Sequence, residues 1–171
     1  MKIQKVTEET RPKVYALLRR AFPGSVYEAD LVQALHAQNK VAHEWVAIHT
    51  NKVIAYIAFS NAYHASEVCG LHLAPMAVAP GFQRQGIGSE LLRFALRQEP
   101  IKGQTLYVWG KSGFYKRFGF EPCSQPICPF AKNNAHFLSL RNTASASFTV
   151  GYEPEFKRVV KQPKSQGNKR R

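Results

Sequence analysis

Polar and apolar residues alternate along MKIQKV, which predicts a first β-strand. Thr7 or Thr10 then offers a helix cap, with Pro12 in the first turn, so a helix is expected through KVYALLRRAF until Pro23 and Gly24 end it. In YEADLVQALHAQ, Ala29, Val32, Leu35 and His36 share one helical face. The period shortens to that of strands in EWVAIHTNKVIAYIAFSNAYH, on both sides of Thr50 and Asn51, and this reads as a hairpin. EVCGLHLAPMAV is a further strand, interrupted by Pro75, which has no N–H for a ladder and marks an edge or a bulge. Ile87, Leu91, Leu92 and Ala95, with Phe94 at the margin, predict a helix opened by Gly86 and Gly88 and closed by Pro100. GQTLYVWG, HFLSL and SASFTV are the remaining expected strands, and SGFYKRFGF is a short helix running into a turn. The strand–helix–strand passage over 68–109 calls for a right-handed crossover between parallel neighbours, whereas the hairpin calls for antiparallel pairing. The sheet is therefore expected to be mixed.

A chain of 171 residues, 44% apolar and 12% aromatic, is long enough for one α/β domain with its own core. MKIQKVTEET lacks the apolar stretch of a secretory signal, and no run approaches the roughly 20 apolar residues that cross a bilayer, so a cytoplasmic protein without a membrane partner is expected. Its state is expected to be monomer or homodimer. The net charge of +13 is unevenly placed: residues 157–171, KRVVKQPKSQGNKRR, carry seven basic side chains and no acidic one. The expected division is a domain over 1–156 and a basic, disordered arm over 157–171, which could meet RNA, another polyanion or no partner at all. Cys69, Cys123 and Cys128 form neither a disulfide framework nor, with His136, a zinc set, so no metal site is expected.

QRQGIGS, from Gln83 to Ser89, raises a chemical question, because it sets two glycines and an arginine at the mouth of a helix. The first turn of a helix has unpaired N–H groups, and glycines let a ligand approach them closely. Such a mouth binds anions, and a pyrophosphate fits it. Neither GxGxxG nor GxxxxGK[ST] is present, which argues against a dinucleotide fold and a P-loop. MAVAPGFQRQGIGSELLRFAL resembles the acetyl-CoA-binding core of the GNAT N-acetyltransferases, whose signature [QR]xxGx[GA] is matched by Gln83, Gly86 and Gly88. FYKRFGF matches the family's YxxxGF element through Tyr115, Gly119 and Phe120, and this turn with the YEPEF ending is most similar to the YhbS-like bacterial branch.

The resemblance implies a GNAT fold: a mostly antiparallel six- to seven-stranded sheet with a bulged, splayed central strand pair and about four helices. It implies that pantetheine pairs with the backbone of Met76, Ala77 and Val78, that Gln83 belongs to the cofactor-binding set, and that pyrophosphate sits on the amides of Arg84, Gln85, Gly86, Ile87 and Gly88, with Ser89 adding a hydroxyl. It also implies direct acetyl transfer from acetyl-CoA to a primary amine, with Tyr115 as acid toward the leaving thiolate and His72 as the base. Histidine has a suitable pKa near 6.5, and Glu67 and Glu28 are alternative bases. Where YhbS-like proteins have Gly-Asp-Pro before the tyrosine, this chain has Gly110, Lys111, Ser112 and Gly113, and Lys111 could reach a coenzyme phosphate. By family analogy the acceptor pocket is expected at helix two and at residues 23–30 and 122–135. A non-catalytic acyl-CoA-binding or RNA-associated protein using the basic arm is the alternative reading.

Overall fold

The computed structural model describes residues 1–130 and 135–158. Strand β1 (Lys2–Lys5) and helices α1 (Arg11–Ala21) and α2 (Tyr27–Ala37) lead into the hairpin β2 (His43–His49) and β3 (Lys52–His64), then β4 (Glu67–Val78). Helix α3 (Ile87–Leu96) crosses to β5 (Leu106–Trp109), followed by α4 (Ser112–Tyr115), β6 (Glu121–Pro122), β7 (Phe137–Leu140), β8 (Gly151–Tyr152) and α5 (Glu155–Arg158). The sheet runs β1-β2-β3-β4-β5-β7-β6, with β8 pairing against β3. Each adjacent pair is antiparallel except β4 and β5, as the crossover required.

Strand periodicity splits the core into two layers. Trp45, Ala47, Ile57 and Phe59 point to one face and pack with Leu91, Leu92 and Ala95 of α3. Val46, Tyr56 and Ala58 point to the other and meet Val14, Leu17 and Leu18 of α1 and Ala29 and Val32 of α2. At the α1 start, Thr10 makes no cap bond to the helix; its hydroxyl instead accepts from the Thr7 N–H at 2.8 Å and donates to the Thr7 carbonyl at 3.0 Å.

The sheet has eight strands, more than the six or seven expected, because two-residue β6 and β8 are too short to show a period. SASFTV is not a strand. Only Thr149 in it makes a bridge, to Ile127, whose N–H donates to the Phe148 carbonyl at 2.7 Å while the Phe148 ring stacks on His64 at 3.8 Å. Among the described residues, no helix is long and apolar enough to cross a membrane. Of the expected basic arm, Lys157 and Arg158 belong to α5, and residues 159–171 lie outside the described residues.

Candidate active site

The β4–β5 pair is joined at one end only. Leu71 faces Leu106 and His72 faces Tyr107, after which no further β4 residue pairs with β5. On its other edge β4 stays paired to β3 as far as Val78. Ile57 faces Met76 and Phe59 faces Leu73, so Ala74 and Pro75 together oppose Ala58, which is a bulge. The bulge turns β4 away from β5 just beyond His72, and the backbone of Met76, Ala77 and Val78 carries strand pairing on one side only. An extended ligand can add there as a strand would.

Past Val78 the chain turns through Pro80–Phe82 into α3. Gly86 sits at φ +80° as the residue before the helix, a conformation that suits glycine, and an added Cβ would meet no atom within 4 Å. Arg84 takes φ +60° without being glycine, a strained conformation of the kind found at ligand clamps. The N–H groups of Gly86, Ile87, Gly88 and Ser89 donate no hydrogen bond among the described residues, and the first helical bond runs from the Glu90 N–H to the Gly86 carbonyl at 2.9 Å. Two side chains of the motif serve the loop itself: Gln83 Nε2 donates to the Val78 carbonyl at 3.0 Å and Gln85 Nε2 to the Gly81 carbonyl at 3.1 Å. Ser89 is 8% exposed, and its hydroxyl lies 3.5 Å from Arg117 Nη2. Arg117, whose guanidinium also covers the Phe114 ring at 5.1 Å, escaped the sequence reading because nothing in KRF distinguishes it from a solvated charge.

Tyr115 ends α4 with its ring edge-on to Phe114 at 5.0 Å and Phe120 at 5.6 Å. Burial pushes its hydroxyl up to about 12, which keeps it protonated as a donor. A Cβ on Gly110 would lie 2.9 Å from Tyr115 Cε2, so this position must be glycine for the ring to close down. His72 is 4% exposed and stacked on Tyr152, with ring centroids 3.7 Å apart and planes 7° from parallel. Its Nδ1 has no hydrogen-bond partner among the described residues. Burial lowers its pKa to about 3, so the value near 6.5 expected from the sequence is corrected: the imidazole is neutral across the physiological range.

Both groups border one cavity of about 560 Å³. Its inner side is the split itself, with Leu73–Met76 of β4 and Val108 and Trp109 of β5. Its outer wall comes from Phe22, Tyr27, Glu28 and Leu31 beside and within α2, and from Phe130 and Phe156. Glu28 borders it, whereas Glu67 is exposed at the start of β4 and does not. Lys111 is exposed ahead of α4.

The chain that carries this unpaired strand edge, these free helix amides and this buried tyrosine is similar to known proteins. Residues 40–122 match the model of the acetyltransferase (GNAT) domain. The chain is 37% identical over 111 residues to the Escherichia coli K12 protein named as uncharacterized N-acetyltransferase YjhQ, a match spanning 61% of each chain. The GNAT family N-acetyltransferase YhbS of Escherichia coli, solved in complex with CoA, superposes with a TM-score of 0.83 at 27% identity, covering 91% of both chains. A Brucella melitensis GNAT acetyltransferase solved with acetyl-CoA gives 0.76 at 26% identity, covering 91% of this chain and 97% of that one. The GNAT match covers the split, the amide lip and Tyr115, whereas Phe22, Tyr27, Phe130 and Phe156 of the outer wall lie beyond it. The sequence named none of these four individually, nor Trp109, but the segments expected to form the acceptor pocket, 23–30 and 122–135, hold Tyr27 and Phe130, and the YEPEF ending holds Phe156.

Proposed function

We propose that this protein is an acetyl-CoA-dependent N-acetyltransferase that moves the acetyl group directly to a primary amine in a ternary complex. One observation carries the proposal: the unpaired edge of Met76–Val78 runs from four free amides at Gly86–Ser89 to a cavity bordered by Tyr115 and His72. The residues present fit coenzyme A. The amides and the Arg84 guanidinium hold the pyrophosphate, the strand edge pairs with the pantetheine, and the cavity receives the thioester.

Transfer forms a C–N bond and breaks a C–S bond. An acceptor that arrives as an ammonium first gives up one proton to solvent; the neutral nitrogen then attacks the thioester carbonyl and becomes positively charged, and its bond to the electron-withdrawing tetrahedral carbon makes its proton more acidic than that of a free ammonium. The neutral imidazole of His72, which borders the cavity, accepts that N–H as the bond forms and passes the proton on to water. Tyr115, kept protonated by burial, donates its O–H to the leaving sulphur. The amine loses one proton and the thiolate gains one, so the sum is an amide and a free thiol.

The test is acetyl-CoA consumption, read as thiol release, against a panel of primary amines. Amine-dependent release that falls roughly 10²-fold in Tyr115→Phe with acetyl-CoA affinity unchanged is the expected result. Binding without turnover on any amine would overturn the enzyme reading.

A further inference from the structure

Resting on the acetyltransferase reading, we infer that the acceptor is a small cationic amine on an aromatic body, and that Glu28 is the residue that selects its ammonium group. The outer wall of the cavity is built mainly from rings, Phe22, Tyr27, Phe130 and Phe156, and Trp109 adds a fifth ring on the inner side. Among the described lining residues Glu28 is the one carboxylate, and they include no lysine or arginine. In a chain with a net charge of +13 the site thus inverts the overall sign, which favours a cation and disfavours anionic acceptors.

Glu28 is also held in place. Its Oε2 accepts from Ser25 Oγ at 2.7 Å, and Ser25 Oγ accepts the Tyr27 N–H at 3.2 Å, so the carboxylate is fixed to the first turn of α2. Its Oε1 has no hydrogen-bond or ion-pair partner among the described residues. The Trp109 ring, 52% exposed at the end of β5, offers a second cation-binding surface. A polyamine entering this cavity would find no second carboxylate for its second ammonium. A peptide would bury backbone amides against rings that cannot bond them. An aromatic amine leaves neither group unmatched.

The experiment uses the full chain with acetyl-CoA and three acceptors: 2-phenylethylamine, putrescine and a lysine-containing peptide. Thiol release gives kcat/KM, and calorimetry on the CoA-saturated protein gives the 2-phenylethylamine Kd. The expected result is a preference for 2-phenylethylamine of at least roughly tenfold. Glu28→Gln, which keeps a group able to bond Ser25, is expected to raise its KM and Kd roughly tenfold or more with acetyl-CoA affinity unchanged. Trp109→Ala is expected to weaken 2-phenylethylamine alone.

Equal or better use of putrescine or the peptide, or an unchanged Kd in Glu28→Gln, overturns the inference and leaves the acetyltransferase reading standing. If no amine is acetylated, that reading fails, and calorimetry still decides this one. Tight 2-phenylethylamine binding lost in Glu28→Gln upholds the aromatic-cation site, and no binding overturns it.

Discussion

Replacing His72 with phenylalanine isolates the largest burial effect on a basic group in the candidate site. The wild-type imidazole is held near pKa 3 in the folded protein by desolvation, against about 6.5 in an unfolded chain. As pH falls through 6.5 the unfolded chain takes up a proton that the folded protein refuses until about pH 3. Stability is therefore lost with acidification across that window, at up to about 1.4 kcal/mol per pH unit. At pH 5, about 1.5 units into the window, the loss is about 2 kcal/mol. Phenylalanine keeps a ring against Tyr152 and Phe156 but has nothing to protonate, and it removes an unpartnered Nδ1 that is costly to bury. Urea unfolding of both proteins at pH 7, 6 and 5 provides the measurement, because other titrating groups are shared and cancel in the difference. The variant is expected to be at least as stable as wild type at pH 7, and its advantage is expected to grow by about 2 kcal/mol between pH 7 and pH 5. Parallel loss in both proteins would show that His72 is solvated and titrates normally, and the neutral proton-acceptor role would go with it.

Gly86→Asp is expected to fold, since an added Cβ meets nothing within 4 Å, yet to lose acetyl-CoA affinity at least roughly tenfold by calorimetry, because its carboxylate opposes a pyrophosphate on the free amides. Gly110→Ala is expected to cut kcat as Tyr115→Phe does, since its methyl must displace the Tyr115 ring; steady-state kinetics with unchanged acetyl-CoA binding check it. Lys40→Met is expected to lower stability and raise the acceptor KM, because Lys40 Nζ sits 2.9 Å from Glu155 Oε1 and 3.6 Å from Glu153 Oε2, both on the segment that carries Phe156; thermal melts and kinetics check it. Deleting 159–171 is expected to leave small-amine turnover intact and weaken retention on a polyanion column, most at low salt.

Where a pattern is local, it was legible. The period-two residues of β2 and β3, the 3.6 period of α1, α2 and α3 and the glycines before α3 each report on neighbours a few residues away. Pro75 announced the bulge because a missing N–H is a property of one residue. The imidazole basicity of His72 was not legible, since it depends on Tyr152 and Phe156, about eighty residues on in the chain. SASFTV misled for a related reason. Its alternation is real, but Phe148 spends its ring on His64 and the segment bridges the irregular 123–130 stretch in place of a strand. Gln83 and Gln85 show a third limit, because a motif names positions without saying whether side chain or backbone serves the ligand.

The two halves of the site are held by different parts of the fold, and this separates their chemistry. The thioester side rests on β3, β4 and α3, which share one core with Tyr115, so it is set by the sheet and changes little without disturbing that core. The acceptor side is assembled from α2 and the C-terminal segment, joined by Leu31, Leu35 and Phe156 and by the Tyr27 hydroxyl donating to the Phe156 carbonyl at 3.0 Å. His72 belongs to both: its backbone is paired in β4 and its ring is clamped by Tyr152 and Phe156. A shift of the C-terminal segment would thus move the acceptor wall and uncover the imidazole together while leaving the coenzyme split intact. That coupling makes acceptor KM and the acid-side stability loss the two quantities that must change in concert whenever the Lys40 clamp is weakened.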